Sequence, residues 1–154
     1  MDRDERARLI GHYRDGYREV KAALEGITDA ELDRSAEDGW TPREVVHHLA
    51  DAEIIGAARI RLLLAQPEPV IQGYDQELFA NTLMYDRAIE PYLEAMRWAR
   101  VISSSLLEKM SDEDWSRAGT HTERGRFTAE DWLSIYGAHA HDHAAQIRRA
   151  RGRV

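Results

Sequence analysis

The sequence predicts an all-α fold: a bundle of four long helices with short extra helical turns in the connections. Apolar residues recur at three- and four-residue spacing in four long stretches, which is the period of an amphipathic helix. Helix-start signals precede most of these stretches, and no segment reads convincingly as a strand. With 154 residues, the chain is most simply one domain that spans residues 1–154.

The first long helix is predicted from an apolar stripe in the N-terminal part of the chain. The stripe consists of Leu9, Ile10, Tyr13, Tyr17, Val20 and Leu24. Gly26 follows it, at a position where a left-handed residue suits a helix end. Thr28 and Glu31 then form a possible capping box, which indicates a short helical turn before the second long helix.

The second long helix has the clearest start in the sequence. Thr41 suits the N-cap, Pro42 suits the first helical position, and Glu44 can reach back to the cap. We expect this helix to run to about Ala65 and to stop before a proline-containing segment. A loop-like stretch follows, and residues 76–84 fit a short helix of their own.

The third long helix is expected to begin near Pro91 and to end at about Met110. A serine with an aspartate three positions later repeats the capping signal just after it. Residues 116–127 contain two glycines and read as an irregular excursion or a loose hairpin. Thr128 then caps the last long helix, which is expected to run toward Arg149.

Composition excludes several classes of function. The formal charge is −7, with 21 basic against 28 acidic residues, which argues against nucleic acid as the main partner. The chain has no cysteine and therefore no disulfide, thiolate ligand or cysteine nucleophile. No apolar run approaches the roughly 20 residues that span a bilayer, and the charged N-terminus does not resemble a signal peptide. We expect a cytoplasmic protein with no membrane partner.

Three histidines are the most informative residues for function. His139 and His143 lie one helical turn apart, on the arc of the last helix that is predicted to face the core. On the second helix His48 lies at the edge of the core arc, whereas its neighbour His47 points to the opposite side. Because a buried imidazole must satisfy two ring nitrogens, packing alone explains this pattern poorly. We predict that His48, His139 and His143 form a tripod for one divalent metal with open coordination positions.

Further polar side chains are candidates to support this site. A metal-bound histidine usually donates its other N–H to an acceptor. The candidate acceptors are Asp51, Glu53, Asp142 and Gln146. Each carboxylate could instead be an exposed residue that pairs along its own helix. Trp40, Tyr74 and His121 could line the mouth of an active site, with ordinary packing as the alternative for Trp40 and Tyr74.

Two segments resemble the motifs of the DinB/YfiT-like superfamily. Residues 40–53 read WTPREVVHHLADAE, and residues 136–147 read YGAHAHDHAAQI. The resemblance implies a four-helix bundle, commonly a homodimer, with a zinc- or nickel-type site. The three metal-binding histidines of that family match His48, His139 and His143. Members include transferases that use low-molecular-weight thiols such as bacillithiol, mycothiol-dependent isomerases and metal-dependent hydrolases.

The chain departs from the motifs of some members at two positions. Asp142 stands where some members have a second histidine, and Gln146 stands where they have a further one. Neither difference removes a predicted ligand. Both differences change the surroundings of the site, so the substrate of a given member does not transfer to this chain.

The sequence therefore predicts a metal-dependent enzyme that acts on a small molecule, by thiol-dependent S-transfer or by hydrolysis. Zinc lowers the pKa of a bound water or holds a thiol as thiolate, and the thiol would come from a cosubstrate. Imidazole ligands do not select among zinc, nickel, iron and copper. One alternative is a non-catalytic bundle dimer that the metal only stabilises, although no fourth protein ligand emerges. Another alternative is a histidine-based pH sensor.

Overall fold

The structure, a computed structural model, describes residues 1–35 and 39–152. Within these ranges the helices are α1 (Arg3–Ala23), α2 (Asp29–Leu32), α3 (Pro42–Ala65), α4 (Gln76–Thr82), α5 (Glu90–Leu107), α6 (Asp112–Ser116) and α7 (Ala129–Ala150). The long helices α1, α3, α5 and α7 form a four-helix bundle, and the three short helices lie in its connections. The predicted fold class is confirmed. Residues 36–38 and 153–154 of the predicted domain lie outside the described residues.

Local capping explains where the two histidine-bearing helices begin. Thr41 accepts a hydrogen bond from the Glu44 backbone, and the Glu44 carboxylate accepts one from the Thr41 backbone at 2.8 Å. Thr128 and Asp131 form the same reciprocal pair at the start of α7. A cap of this type contributes about 1 kcal/mol to helix stability. The predicted starts of α3 and α7 are therefore confirmed, and these starts set the positions of the histidines on each helix.

The expectation that the chain contains no strand is wrong. A small sheet has the order β1 (Val70–Ile71), β2 (Ala118–His121), β3 (Gly125–Thr128), with β1 parallel to β2 and β2 antiparallel to β3. The loose hairpin expected over residues 116–127 is thus a paired hairpin, and its Gly125 has a φ of 73°. Strands of two to four residues are too short to show an alternating pattern, which explains the miss.

The long helices pack in a ring. Helix α1 packs against α7 and α5, and α3 packs against the same two helices. Both predicted core arcs are buried, with residues Val45, Leu49, Ala52, Gly56, Ile60 and Leu63 on α3 and Trp132, Tyr136, Ala140, Ala144 and Ile147 on α7. The prediction that His47 points away from the core arc misjudged its surroundings, because His47 is fully buried against Tyr85 and Tyr92. The segment that precedes α5 covers this side of α3.

A buried ionic network joins all four long helices at the centre of the bundle. Glu53 on α3 accepts hydrogen bonds from Arg100 on α5 at 2.5 Å and from the Tyr13 hydroxyl on α1 at 2.7 Å. Arg100 also donates to the backbone carbonyls of Tyr13 and of Tyr136 on α7. Glu53 and Arg100 are at most 1% exposed. Burial raises the pKa of Glu53, and the nearby Arg100 opposes that rise.

The long helices do not have the character of membrane spans. Across the described ranges, no helix combines the length and the continuous apolar surface that crossing a bilayer requires. The buried apolar side chains of α1, α3, α5 and α7 form the two core clusters of the bundle.

Candidate metal centre

Three imidazole rings converge between α3 and α7. The Nε2 atom of His139 lies 3.2 Å from Nε2 of His48 and 3.1 Å from Nε2 of His143. One ligand atom from each residue lies within 4.8 Å of the other two. His48 is buried, and His139 and His143 are half-buried. The structure therefore brings together the three residues that the sequence proposes as ligands, and we refer to them as the histidine tripod.

The electronic state of the tripod suits a cation. The pKa of His48 is lowered to about 3 and that of His139 to about 2, first by burial and then by the neighbouring imidazoles. His143 Nδ1 lies 2.6 Å from Gln146 Oε1, so Nδ1 carries the proton and the Nε2 lone pair faces the cluster. Nε2 lone pairs this close together can be satisfied by hydrogen bonds only where one of the rings carries a proton on Nε2. One divalent cation between the rings could instead accept all three lone pairs. The residues therefore fit a divalent metal.

The four candidate supporting residues have different environments. Gln146 contacts His143, as described above. Asp51 instead accepts a hydrogen bond from the Tyr85 hydroxyl at 2.6 Å, and Glu53 belongs to the central ionic network. Asp142 is exposed. Among the described residues, the buried Nδ1 atoms of His48 and His139 have no hydrogen-bond partner. Gln146 is thus the candidate that the structure places on a tripod histidine.

A cleft of about 240 Å³ opens beside the tripod. It is lined by His48, Ala52, Arg59, Tyr74, Gln76, His121, Glu123, Arg124, Phe127, Ile135, Tyr136 and His139. Tyr74 and His121, which the sequence suggested for an active-site mouth, are among these residues. Trp40 does not line this cleft but packs edge-on against His48, with 5.5 Å between ring centroids, and donates to Glu77.

Arg59 and Tyr136 are among the cleft residues that sequence reasoning did not assign to the site. Arg59 donates to the Tyr136 hydroxyl at 3.1 Å and to the Gln72 carbonyl, and it lies over the Tyr74 ring at 5.6 Å. Tyr136 was assigned only to the core, yet its ring centroid lies 6.3 Å from that of His139. A single arginine on a long helix gives no sequence signal of function, because its direction depends on tertiary contacts with Tyr136 and Gln72.

A larger concavity lies at another part of the bundle. It measures about 500 Å³ and lies between α1, the end of α5 and α6, with Arg6, Ile10 and Trp115 among its lining residues. Arg6 is paired there with Glu130 and Asp112. This concavity contains no histidine. Size alone would favour it, but the convergence of metal-binding nitrogens places the candidate chemistry in the smaller cleft.

Comparison with protein families agrees with this geometry. The family model described as the DinB superfamily matches residues 12–147, a range that contains the whole tripod. The chain belongs to the DinB superfamily.

Curated relatives connect this DinB protein to metal-dependent enzymes. A protein of Oceanobacillus iheyensis named "Putative metal-dependent hydrolase" is 32% identical over 139 residues, covering 90% of this chain and 81% of the relative. YfiT of Bacillus subtilis, also named "Putative metal-dependent hydrolase", is 32% identical over 144 residues, covering 88% of this chain and 78% of YfiT.

A solved structure of YfiT from Bacillus subtilis shares the fold. It superimposes with a TM-score of 0.91 at 28% sequence identity, over 100% of this chain and 91% of that one. That structure is described as a four-helix bundle of unusual topology. In the DinB bundle described here, α1 and α3 pack mainly on α5 and α7 rather than on each other.

Removing the glutamine amide should weaken metal binding in this DinB protein. Gln146→Leu keeps the side-chain volume but leaves the His143 Nδ1–H without its 2.6 Å acceptor. Loss of such a supporting contact typically costs 10–100-fold in metal affinity. Competition for zinc with a chromophoric chelator should show this loss, while Asp142→Asn, at the exposed neighbouring position, should bind as the parent does. Equal affinities for all three proteins would contradict the proposed role of Gln146.

The metal-free DinB protein should lose stability as the pH falls below 6.5. The folded-state pKa values of His48 and His139 lie near 3 and 2, below the 6.5 of an exposed histidine. At pH values between the folded and the unfolded pKa of each group, the unfolded chain binds a proton that the folded chain does not. The free energy of unfolding therefore decreases as the pH falls through this range. Two such groups contribute a slope of up to about 2.7 kcal/mol per pH unit.

Urea denaturation between pH 7 and pH 5 measures this slope. In His139→Gln one of the two groups is absent, so the slope should be less steep than in the parent by up to about 1.4 kcal/mol per pH unit. Other buried histidines, such as His47, contribute equally to both proteins. Parallel pH profiles for the parent and the variant would show that His139 takes up its proton in the folded state.

Proposed function

We propose that the chain is a metal-dependent enzyme that acts on a small molecule at the histidine tripod. The observation that supports this most strongly is the convergence of three histidine Nε2 atoms beside a cleft. Among the described residues, no cysteine, carboxylate or further histidine joins the cluster, so a bound metal would keep open positions. A divalent transition metal, zinc or nickel in our proposal, supplies Lewis acidity and activates a water or thiol near neutral pH.

The chain's own residues would hold and orient the substrate. His48, His139 and His143 hold the metal, and Gln146 orients His143. Burial raises the pKa of Tyr74 to about 12, so its hydroxyl stays protonated and can donate a hydrogen bond to a substrate oxygen. The apolar side chains of Phe127 and Ile135 cover part of the cleft and limit the access of bulk water.

Hydrolysis is the first reaction class that we propose, because the curated relatives carry that name. This reaction needs a group that accepts a proton from the attacking water. Glu123 supplies the carboxylate in the cleft, whereas Asp51 and Glu53 are held in hydrogen bonds elsewhere. We therefore assign the proton-accepting role to Glu123.

Thiol-dependent S-transfer is the second class, and a different observation favours it. In the described cleft, Glu123 is the one carboxylate, and it belongs to a hairpin rather than to a long helix. A metal held by the tripod would lower the pKa of a small cosubstrate thiol, so that its proton passes to solvent and no protein carboxylate is needed. The thiolate sulfur would then form a bond to an electrophilic carbon of the second substrate and displace its leaving group.

Metal analysis of the tripod variants tests the proposed function. We expect about one equivalent of zinc or nickel in the untagged parent after loading, and its loss in His48→Ala, His139→Ala and His143→Ala. His141→Ala is the matched control, because His141 lies on the same helix but stacks on His12 at 3.6 Å outside the tripod. Circular dichroism must show that every variant is folded.

The loaded parent is then assayed with nitrophenyl esters, and separately with a small thiol and an aryl chloride. Turnover that disappears in the tripod variants and persists in His141→Ala supports the proposal. Glu123→Gln should reduce ester hydrolysis but not thiol transfer. A parent that cannot be loaded with either metal would overturn the enzyme proposal. Loss of the fold on chelation, without any turnover, would favour the structural alternative.

The second proposed partner is another copy of the chain. The solvent-facing side of α5 carries Trp98, Val101 and Ile102, each at least 45% exposed. Contiguous exposed apolar residues are typical of an interaction surface. Light scattering at micromolar concentration distinguishes a dimer from a monomer. Trp98→Lys should shift a dimer toward the monomer, and a monomeric parent would contradict this proposal.

A further inference from the structure

The cleft beside the tripod carries more positive than negative charge. Arg59 and Arg124 line it together with one carboxylate, Glu123. The Glu123 side chain lies across Gly73, where an added Cβ would overlap its carboxyl group. The cleft thus has an excess of one positive charge before any metal binds, and a divalent metal would add two more. Such a concave, positively charged site favours an anionic ligand.

His121 presents an unused hydrogen-bond donor in this cleft. The side chain belongs to β2 and is only 4% exposed. Its Nδ1 accepts a hydrogen bond from the Glu123 backbone N–H at 3.2 Å, so the proton of the neutral ring lies on Nε2. Burial, followed by the nearby Arg59, lowers the pKa of His121 and keeps the ring neutral. No described residue accepts from Nε2, and this nitrogen is not one of the buried polar atoms that lack a partner, so its N–H can donate to a ligand in the open cleft.

The two arginines of the cleft differ in how they are held. Arg59 is fixed by the Tyr136 hydroxyl and the Gln72 carbonyl, which places its charge one tyrosine ring away from His139. Arg124 lies in the β2–β3 turn and is exposed, and within the described chain its guanidinium makes no ion pair or hydrogen bond. Arg124 can therefore bind a ligand without breaking an existing contact. Arg59 stays in its hydrogen bonds to Tyr136 and Gln72 and contributes only its positive charge to the cleft.

We propose that the substrate carries an acidic group, a carboxylate or a phosphate, which His121 and Arg124 bind while the reacting atom lies at the histidine tripod. This inference rests on the proposed function for its second half. A guanidinium and an imidazole N–H both donate to anionic oxygens, and charged hydrogen bonds of this kind are stronger than neutral ones. His121 and Arg124 thus become the residues that determine substrate specificity, and the tripod supplies the chemistry.

Calorimetric binding of matched probes tests the proposal without requiring turnover. Succinate is compared with succinamide, and glycerol 3-phosphate with glycerol, on zinc-loaded and metal-free protein. We expect the anionic member of at least one pair to bind the parent about ten-fold or more tightly than its neutral counterpart, and the stronger pair identifies the acid. His121→Gln and Arg124→Gln should each lose about ten-fold in that affinity, as expected for a charged hydrogen bond.

Arg126→Gln is the matched control. Arg126 is an exposed arginine on the same hairpin that does not line the cleft, so its loss tests for a general effect of charge. We expect Arg126→Gln to bind the probes as the parent does. Arg124→Gln and Arg126→Gln each change the formal net charge from −7 to −8, so a difference between these two variants must be local.

The remaining outcomes either contradict this inference or separate it from the proposed function. Equal binding of anionic and neutral probes would overturn it, as would equal losses in Arg124→Gln and Arg126→Gln. Anion binding that requires zinc but is unchanged in His121→Gln and Arg124→Gln would show that the metal alone binds the acid. Tight, His121-dependent binding in a protein with no turnover would support the acid-binding site and contradict the proposed enzymatic function. Turnover of neutral substrates that persists in His121→Gln and Arg124→Gln would support the enzymatic function and contradict the acid-binding site.

Discussion

Replacing Arg100 with methionine should destabilise the protein by about 3–5 kcal/mol, the usual cost of removing one partner from a buried ion pair. The substitution leaves the fully buried Glu53 carboxylate with the Tyr13 hydroxyl as its remaining hydrogen-bond donor. It also leaves the carbonyls of Tyr13 and Tyr136 without the guanidinium that now donates to them. Urea denaturation at pH 7 measures the loss.

Two controls separate the buried charge from other effects of the Arg100 substitution. Arg97→Met removes the exposed pair with Glu94 on the same helix and should cost less than about 1 kcal/mol. Adding Glu53→Gln to Arg100→Met removes the orphaned charge and should recover part of the stability. If Arg100→Met costs as little as Arg97→Met, the central network contributes no more than a surface pair.

The pH dependence of Arg100→Met gives an independent check. Burial raises the folded-state pKa of Glu53, and without Arg100 nothing of opposite charge in the network opposes that rise. A carboxyl whose folded pKa exceeds its unfolded pKa contributes stability that is complete at low pH and lost as the pH rises through the folded value. The difference between variant and parent should therefore shrink as the pH is lowered from 7 toward 5.

The second large effect is expected at Gly16, where alanine should destabilise the protein although alanine is the better helix former. A Cβ atom at Gly16 would lie 2.7 Å from the Ala140 Cβ on α7 and would overlap the Arg100 guanidinium. Because the network holds Arg100 in place, the helices must separate. Overpacking of this kind costs about 1–3 kcal/mol, which exceeds the gain of up to about 1 kcal/mol from helix propensity.

Gly11→Ala is the matched control for Gly16→Ala. Gly11 lies on the same helix, and no atom lies within 4 Å of an added Cβ. Alanine there should stabilise the protein by about 0.5–1 kcal/mol. Opposite signs at the two glycines would show that α1 and α7 pack as closely as described, whereas stabilisation at both would contradict it. Since Ala140 is adjacent to His139, Gly16→Ala should also weaken zinc binding.

The parts of the fold that sequence predicted correctly are those set by local interactions. Thr41 with Glu44, and Thr128 with Asp131, act within one helical turn, so their pattern can be read without knowledge of the rest of the chain. The core arcs of α3 and α7 follow from helical periodicity in the same way. The pairing of Val70 with Thr120 joins distant segments, and no local pattern predicts it.

The candidate site was predictable to a similar extent. Helical spacing and the predicted core-facing arcs indicated that His48, His139 and His143 share one site. The structure places their Nε2 atoms next to one another. Glu53 could not be assigned from spacing, because its environment depends on which side chain α5 presents to it, and that side chain is Arg100. Arg59 escaped prediction for the same reason, since its direction is set by tertiary contacts.

The separation of the tripod from the hairpin has a consequence for how this scaffold can diversify. The three histidines stand on long helices tied to the rigid centre of the bundle, whereas His121, Glu123 and Arg124 come from a short surface hairpin. Surface connections accept substitutions and insertions that packed helices do not. Under the proposed function, new selectivity can therefore arise by altering a few hairpin positions, while the histidine tripod and the stability of the bundle are unchanged.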